Sequence, residues 1–159
     1  MRDKILHYME KNARIDLGDL ATLLGEDEAT VMNELEAMES ENIIAGYHTM
    51  INWEKAGVEK VTGMIEVRVT PQRGMGFDKV ASHIYNYPEV SSVYLISGGF
   101  DFMVIIEGKT LREVAEFVSN KLAPMESVLS TKSNFILKKY KEAGTVLTDV
   151  PHDERMKMS

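Results

Sequence analysis

Residues 61–70 place branched apolar side chains at alternate positions, and this spacing constrains the fold more than any other feature of the chain. Val61, Ile65, Val67 and Val69 share the odd positions with Gly63. A period of two puts these residues on one face of a strand and their neighbours on the other. One face must be buried, so the segment predicts a sheet with a core on one side.

The residues that follow predict a helix and then a hairpin. Pro71 ends the first strand, and helical spacing of apolar residues then runs over 77–85. Two strands are expected at 90–96 and 102–106, because both are apolar runs bounded by turn residues. The tight turn at 97–100 would join them as a hairpin.

A second helix and a last strand complete this half of the chain. Thr110 and Glu113 form a capping box, the pattern that begins a helix, and a strand is expected at 128–140. The order is β-α-β-β-α-β, the ferredoxin-like arrangement of an α+β fold. Both helices would lie on one face of the sheet, so a second copy of the chain is expected to cover the other. The apolar residues expected on the buried face of the second helix are Leu111, Val114, Val118 and Leu122.

Three short amphipathic helices are predicted in the N-terminal part. The first covers residues 3–12, Asp16 caps the second, and Asp27 begins the third. Gly25 ends the second helix, since glycine readily adopts a left-handed backbone. A short turn between the second and third helices makes this a helix-turn-helix plan, and a strand is expected at 43–47. The third helix is expected to bury Val31, Leu35 and Met38.

These elements divide the chain into four segments. An N-terminal domain at 1–47 is followed by a linker at 48–60 and a second domain at 61–140. The tail at 141–159 is polar, so we expect it to be loosely held.

The N-terminal third carries all of the acidic excess. No Lys or Arg occurs between Arg14 and Lys55, whereas ten Asp and Glu residues fall in that interval. Residues 1–54 hold 4 basic and 12 acidic side chains, and the whole chain has a net charge of −7. Affinity for nucleic acid comes mostly from cations that neutralise phosphates, so this charge argues against the simplest use of a helix-turn-helix.

Four side chains are nevertheless candidates for contact with DNA. Thr30, Met32 and Asn33 face outward on the third helix, and Thr and Asn can hydrogen-bond base edges. Arg14 is the candidate for a phosphate contact. The alternative is that these are three ordinary short helices, a common pattern outside DNA-binding proteins. The cations of this region are Arg2, Lys4, Lys11 and Arg14.

Several kinds of chemistry have no candidate residues. The chain has no cysteine, which excludes disulfides and thiolate metal sites and fits a cytoplasmic location. No apolar run approaches the roughly 20 residues that a membrane helix needs. The histidines lack the spacing of metal ligands, and no motif of an activated nucleophile is present. No enzymatic activity, metal or cofactor is therefore predicted.

Several short motifs, in their order and spacing, resemble the Lrp/AsnC family of bacterial and archaeal regulators. The resemblance covers about residues 1–140. Each motif is weak alone, but their combination is specific. The matching segments are Asp3-x-Ile5-Leu6, Asn12-Ala13-Arg14-Ile15, Leu20-Ala21, Leu35-x-x-Met38-Glu39, Ile44-x-Gly46-Tyr47, Pro88-x-Val90 and Ser97-Gly98-Gly99-Phe100-Asp101.

The resemblance implies a winged helix-turn-helix that binds double-stranded DNA, a linker strand, and a ferredoxin-like effector (RAM) domain. Members form homodimers that often assemble into octamers and bind a small effector, usually an amino acid, between dimers. By position, Gly98, Gly99 and Asp101 would lie at that cleft, with Ser130 and Thr131 as further candidates. Glycines let a backbone approach a zwitterion closely, and a carboxylate pairs with an ammonium. The alternative is that the two glycines form only a hairpin turn that Asp101 caps.

Three positions depart from the family pattern. Asp27 stands where the family usually has Ser, Glu34 where it usually has a DNA-facing Arg, and Asn42 where it has Gly. Asn tolerates the left-handed backbone that glycine adopts, so the fold is preserved while the inference of tight DNA contact is weakened. Two functions stay open: a transcriptional regulator that binds DNA and responds to a small molecule, plausibly an amino acid, or a ligand-sensing oligomer that acts through a protein partner.

Overall fold

A computed structural model of the protein describes residues 1–70 and 76–149, which fall into two compact units. The N-terminal unit ends at Met50 and the effector unit begins at Ile51. The expected strand stop at Pro71 and the end of the predicted tail, 150–159, lie outside the described residues.

The N-terminal unit contains the predicted helix-turn-helix. Its helices are α1 (Arg2–Lys11), α2 (Leu17–Leu24) and α3 (Glu28–Ser40). Asp16 Oδ2 accepts hydrogen bonds from the backbone N–H groups at the start of α2, at 2.9 and 3.3 Å. Gly25, with φ of 68°, ends that helix as predicted. Asn42 has φ of 57°, the backbone shape expected where the family has glycine.

One small core holds these three helices together. Ile5 of α1, Leu20 and Ala21 of α2, and Val31 and Met38 of α3 are buried against each other. Leu35 of the predicted α3 face packs against this cluster and is partly buried.

The strand expected at 43–47 is not formed in the single chain. The N–H of Ile44 still bonds to the carbonyl of Met38 at 3.1 Å, but among the described residues the backbone of 45–51 makes no backbone hydrogen bond. The linker contains turns at 53–57 instead of a strand. An apolar, extended segment becomes a strand only when another strand accepts and donates its hydrogen bonds, and the single chain offers none here.

The effector unit is built on a four-stranded antiparallel sheet. Its strands are β1 (Val61–Val69), β2 (Val90–Leu95), β3 (Phe102–Gly108) and β4 (Val128–Phe135), in the spatial order β2-β3-β1-β4. The helices are α4 (Gly76–Tyr85) and α5 (Leu111–Phe117), and α5 continues through a π-helical turn at Val118–Leu122. This is the predicted β-α-β-β-α-β order, so the ferredoxin-like arrangement is confirmed.

The core of this unit lies between one face of the sheet and both helices. Odd-numbered β1 residues face it as predicted, and Val114, Val118 and Leu122 are buried. Leu111 is a correction, because it is 53% exposed and lines a surface groove with Val58 and Leu137. The remaining core residues include Val80, Ile84, Phe102, Val104, Ile106 and Phe117.

The end of the described chain forms a small hairpin that the sequence did not predict. The last sheet strand stops at Phe135, and β5 (Lys141–Glu142) then pairs with β6 (Thr145–Val146). The Asn52 side-chain amide donates to the carbonyl of Leu147 at 2.7 Å, so the hairpin is bonded to the segment that enters the effector unit. The expectation of a loosely held tail is therefore wrong for residues 141–149.

Candidate DNA and ligand sites

The outward face of α3 presents two of its three predicted base-contacting residues freely. Met32 is 48% exposed, and Asn33 is exposed on the same helix. Thr30 is half-buried, and its hydroxyl and its backbone N–H both bond to Asp27, which lowers the pKa of that carboxyl. The N–H lies 2.7 Å from Asp27 Oδ1. Thr30 thus serves the helix cap, while Met32 and Asn33 remain available to a partner.

Arg2 is not an available cation, although the sequence counted it as one. Its Nε donates to Glu34 Oε2 at 2.7 Å, and its Nη1 and Nη2 donate to Glu41 at 2.8 and 3.1 Å. These hydrogen bonds raise the pKa of Arg2 above its ordinary value and lower that of Glu41. Glu34 therefore contacts α1 and neutralises a cation, where the family usually has an arginine for DNA.

Three cations remain in the N-terminal unit. Lys4, Lys11 and Arg14 are exposed, and none forms an ion pair with a carboxylate in the described part of the chain. Lys11 Nζ lies 3.0 Å from His7 Nε2. Arg14 follows α1, where its backbone N–H bonds to Asn12 Oδ1 at 3.1 Å. The electrostatic objection is sharper in the structure than in the sequence, because one of four cations is already neutralised.

The candidate ligand residues meet at one end of the sheet. Asp101 is held tightly there: its N–H donates to the carbonyl of Val67 at 3.0 Å, and its Oδ2 accepts from the N–H of Val69 at 2.9 Å. Its carbonyl accepts from the N–H of Ile96 at 2.8 Å. Asp101 therefore bonds the β2–β3 turn to β1. This is the role that the alternative reading gave it, that of a residue that caps the hairpin turn.

Strand β4 brings the two weaker candidates to the same end. Ser130 lies opposite Arg68 in the β1–β4 pairing, and Thr131 lies opposite Val67. The carbonyl of Val67 is the group that binds the N–H of Asp101. The five predicted ligand residues are thus gathered around the end of β1.

Arg68 joins this group, and the sequence reading missed it. Its Nε donates to the carbonyl of Gly99 at 3.0 Å, and its Nη atoms have no partner among the described residues. Arg68 occupies an even position of β1, so the alternation that predicted the strand also put it on the face away from the core. That register was the signal that could have identified it.

The two glycines of the turn are not required by the backbone. Neither Gly98 nor Gly99 has a positive φ. A Cβ atom at Gly98 would lie 3.5 Å from Ile96 Cγ2, an ordinary contact, and one at Gly99 would meet nothing within 4 Å. The hairpin could form with other residues here, so the turn alone does not explain the pair.

The described residues contain neither a cluster of metal ligands nor a membrane-spanning helix. Within residues 1–70 and 76–149, no three His, Asp or Glu side chains are grouped so that they could hold a metal ion. No helix in that part of the chain is long and apolar enough to cross a membrane.

Comparison with known proteins gives the family. Residues 62–146 match the model of the Lrp/AsnC ligand binding domain. The Bacillus subtilis HTH-type transcriptional regulator YugG is 45% identical over 157 residues, which are 98% of this chain and 95% of that protein. Such relatives are named as regulators, in agreement with the prediction that the chain is not an enzyme.

Solved structures share the fold. A transcriptional regulator of Neisseria meningitidis, solved as a complex with L-Met, superposes with a TM-score of 0.70 at 21% identity, covering 87% of this chain and 89% of that one. A feast or famine regulatory protein of M. tuberculosis, complexed with L-methionine, gives a TM-score of 0.72 at 19% identity, covering 92% and 96%. The match to the ligand-binding domain and the identity to YugG show that this chain belongs to the Lrp/AsnC family of helix-turn-helix transcriptional regulators.

Proposed function

We propose that this regulator binds DNA as an oligomer through α3 and changes its assembly when an amino acid binds beside the β2–β3 turn. The proposal that an amino acid binds here rests on Gly98 and Gly99. Both are exposed, and neither is needed by the backbone conformation. Small residues without a conformational role leave space at the surface, and a ligand backbone can approach closely there.

The charges at this end of the sheet suit a zwitterion. Arg68 has free Nη donors, which pair well with a carboxylate in a bidentate arrangement. Asp101 uses Oδ2 for the N–H of Val69, and a carboxylate has a second oxygen that can accept from an ammonium. L-Methionine is the first ligand to test, because two regulators of the same fold were solved with it.

Two features support assembly of the chain with copies of itself. Residues 45–51 form no helix, strand or turn and lack backbone partners in the described chain, while Tyr47, Met50 and Ile51 of that segment are 50%, 41% and 42% exposed. A second copy could pair with this segment as an antiparallel strand, which would supply the linker strand that the single chain lacks. We infer a homodimer on this basis, and an octamer is the plausible higher assembly for the family.

The outer face of the sheet is the second feature that supports assembly with copies of the chain. Met64, Met103 and Ile105 lie on it as neighbours across the strands, and Tyr94 beside them is 54% exposed. An apolar sheet face in water is a common site of association. Packing of two such faces would complete the dimer. The dimer would then bring two acidic helix-turn-helix units, with the few cations of each, to one DNA molecule. A DNA-binding regulator acts where the DNA lies, so we propose a cytoplasmic location.

The ligand proposal is tested by two substitutions at Asp101. Asp101→Asn keeps an oxygen that can accept from the N–H of Val69 but removes the charge that would attract an ammonium. We expect this variant to keep its melting temperature and to lose most of the thermal shift that L-methionine gives the wild-type protein. Arg68→Gln should weaken the same shift, whereas Arg112→Gln on α5 should leave it unchanged. An undiminished shift in both Asp101→Asn and Arg68→Gln would remove this end of the sheet from the site.

The second candidate function is regulation through a protein partner. It is favoured by one observation, the internal neutralisation of Arg2 by Glu34 and Glu41. A chain that works only in this way would respond to ligand and assemble, yet fail to bind its own upstream DNA at low salt.

A further inference from the structure

The effector unit adds a run of cations to the few that the N-terminal unit offers. After β4, the chain holds Lys138, Lys139, Tyr140 and Lys141 in succession, a segment that we call the lysine strip. We propose that the lysine strip contacts the phosphate backbone of the DNA that α3 binds, and supplies affinity that the acidic N-terminal unit cannot.

The C-terminal end of the lysine strip belongs to an ordered hairpin. The carbonyl of Tyr140 accepts from the N–H of Leu147 at 2.8 Å, beside the β5–β6 hairpin that begins at Lys141. Ala143 and Gly144 at the tip have φ of 44° and 83°, the two positive values of a tight two-residue hairpin. Lys141 therefore belongs to a defined hairpin, and Lys138 and Lys139 directly precede it.

Two of the three lysines are not paired with a carboxylate at ion-pair distance. Lys139 Nζ lies 3.4 Å from Glu142 Oε2, whereas Lys138 and Lys141 have no such partner in the described residues. Lys138 Nζ instead lies 5.3 Å from the ring of Tyr140, and that ring is 67% exposed. Unpaired ammonium groups and a tyrosine hydroxyl are donors that proteins use on DNA phosphates.

The surroundings favour an extended polyanion over a small anion. The groove beside the strip measures only about 130 Å³, and its lining includes Lys60, Lys138 and Lys139. Lys60 Nζ already lies over the Trp53 ring, at 4.0 Å from its centroid. A groove of this size is below that of ordinary ligand pockets, which measure about 300–1,000 Å³. The exposed ammonium groups of Lys138 and Lys141 suit the repeating charges of a phosphate backbone.

The residues that follow the strip are bonded to the segment at the start of the effector unit. Asn52 bonds to the carbonyl of Leu147, and Lys55 Nζ lies 2.9 Å from Asp149 Oδ1. The N-terminal unit ends at Met50, two residues before Asn52. The hairpin after the strip is thus bonded to the chain shortly after the N-terminal unit ends.

The test is a salt titration of DNA binding by a double variant and a matched control. Lys138→Gln with Lys141→Gln removes two cations from the strip, while Lys79→Gln with Arg112→Gln removes two from α4 and α5. In the strip variant, the slope of log Kobs against log salt should become shallower by about 0.9 for each lysine that contacts a phosphate. The loss of affinity should be similar for upstream and unrelated duplexes, because phosphate contacts carry no sequence information. Equal losses in both variants, or none in the strip variant, would overturn the proposal.

A second measurement uses the unmodified protein. Acetylation of lysine amines, mapped by mass spectrometry, should be reduced at Lys138 and Lys141 when duplex DNA is present and unchanged at Lys79. Equal acetylation with and without DNA contradicts the proposal. Protection that is present without DNA, grows with protein concentration and does not change when DNA is added would assign the strip to a contact between copies of the chain, and would also overturn the proposal.

Discussion

Arg2 Nε lies 2.7 Å from Glu34 Oε2, so a cation at the start of α1 binds the residue that stands where the family usually has a DNA-facing arginine. The same guanidinium holds Glu41 just after α3, at 2.8 Å. This clamp joins the first and third helices across the N-terminal unit. The positive charge of Arg2 therefore stabilises the N-terminal unit, whereas a typical helix-turn-helix directs such a charge at DNA.

The clamp predicts a specific response to acid. The pKa of Glu41 is lowered from 4.5 because it accepts hydrogen bonds from Arg2. A carboxylate with a lowered folded-state pKa contributes stability above its unfolded pKa, and this contribution is lost as the pH falls through the lowered value. Arg2→Gln should therefore lower the melting temperature slightly at pH 7, since exposed pairs contribute little, and have no effect near pH 2. The same loss at both pH values would show that charge pairing is not the cause.

Tyr47 makes the opposite prediction in alkali. Its hydroxyl donates to Glu39 Oε1 at 2.6 Å, and this hydrogen bond, with some burial, raises the pKa of the phenol above 10.0. The contribution of a group with a raised pKa is fully present below its unfolded pKa and disappears as the pH rises through the raised value. Tyr47→Phe should lower the melting temperature at pH 7 and lose this effect well above pH 10. An effect that persists at high pH would count against the hydrogen bond.

Gly63 should be the least replaceable glycine of the sheet. A Cβ atom there would lie 2.7 Å from Val114 Cγ1, closer than side chains pack. Gly63→Ala should lower the free energy of unfolding by about 1–3 kcal/mol, the usual cost of overpacking a core. Gly99→Ala is the control, because its Cβ would meet nothing within 4 Å. Urea denaturation distinguishes the two, and equal stability of both variants would contradict the packing of α5 on β1.

The buried face of β1 should dominate the stability of the effector unit. Ile65 has no exposed surface, whereas Leu137 is 96% exposed. Ile65→Ala should lower the free energy of unfolding by about 2–5 kcal/mol through lost burial and a cavity. Leu137→Ala should change it by less than about 0.5 kcal/mol, as for other surface positions. A comparable loss in Leu137→Ala, measured by urea denaturation, would mean that assembly buries that residue.

Local patterns predicted the elements well because local chemistry determines them. The alternation at 61–70 predicted β1 to within one residue and with the correct buried face, and Asp16 and Gly25 marked both ends of α2. The strand at 43–47 failed for a different reason: its hydrogen-bond partner is not in the single chain. Residue spacing reports which face can be buried, but it does not report what will cover that face.

The candidate site shows the same limit. Gly98, Gly99 and Asp101 became candidates through the resemblance to the family, and Arg68 became one only when β1 was seen beside the turn. The pairing of Arg2 with Glu34 joins residues 32 positions apart, so no local pattern indicates it. Phe117 is also buried, three residues after Val114 on the same helix, although the sequence reading did not include it in that face.

The most direct test of the account is a salt titration of the wild-type protein on its own upstream DNA, with the oligomeric state measured in parallel. We expect an oligomer whose affinity falls steeply as salt is added, because its few cations per copy act together on phosphates. A folded oligomer that binds no DNA at low salt would contradict it, and so would a protein that remains monomeric while binding DNA.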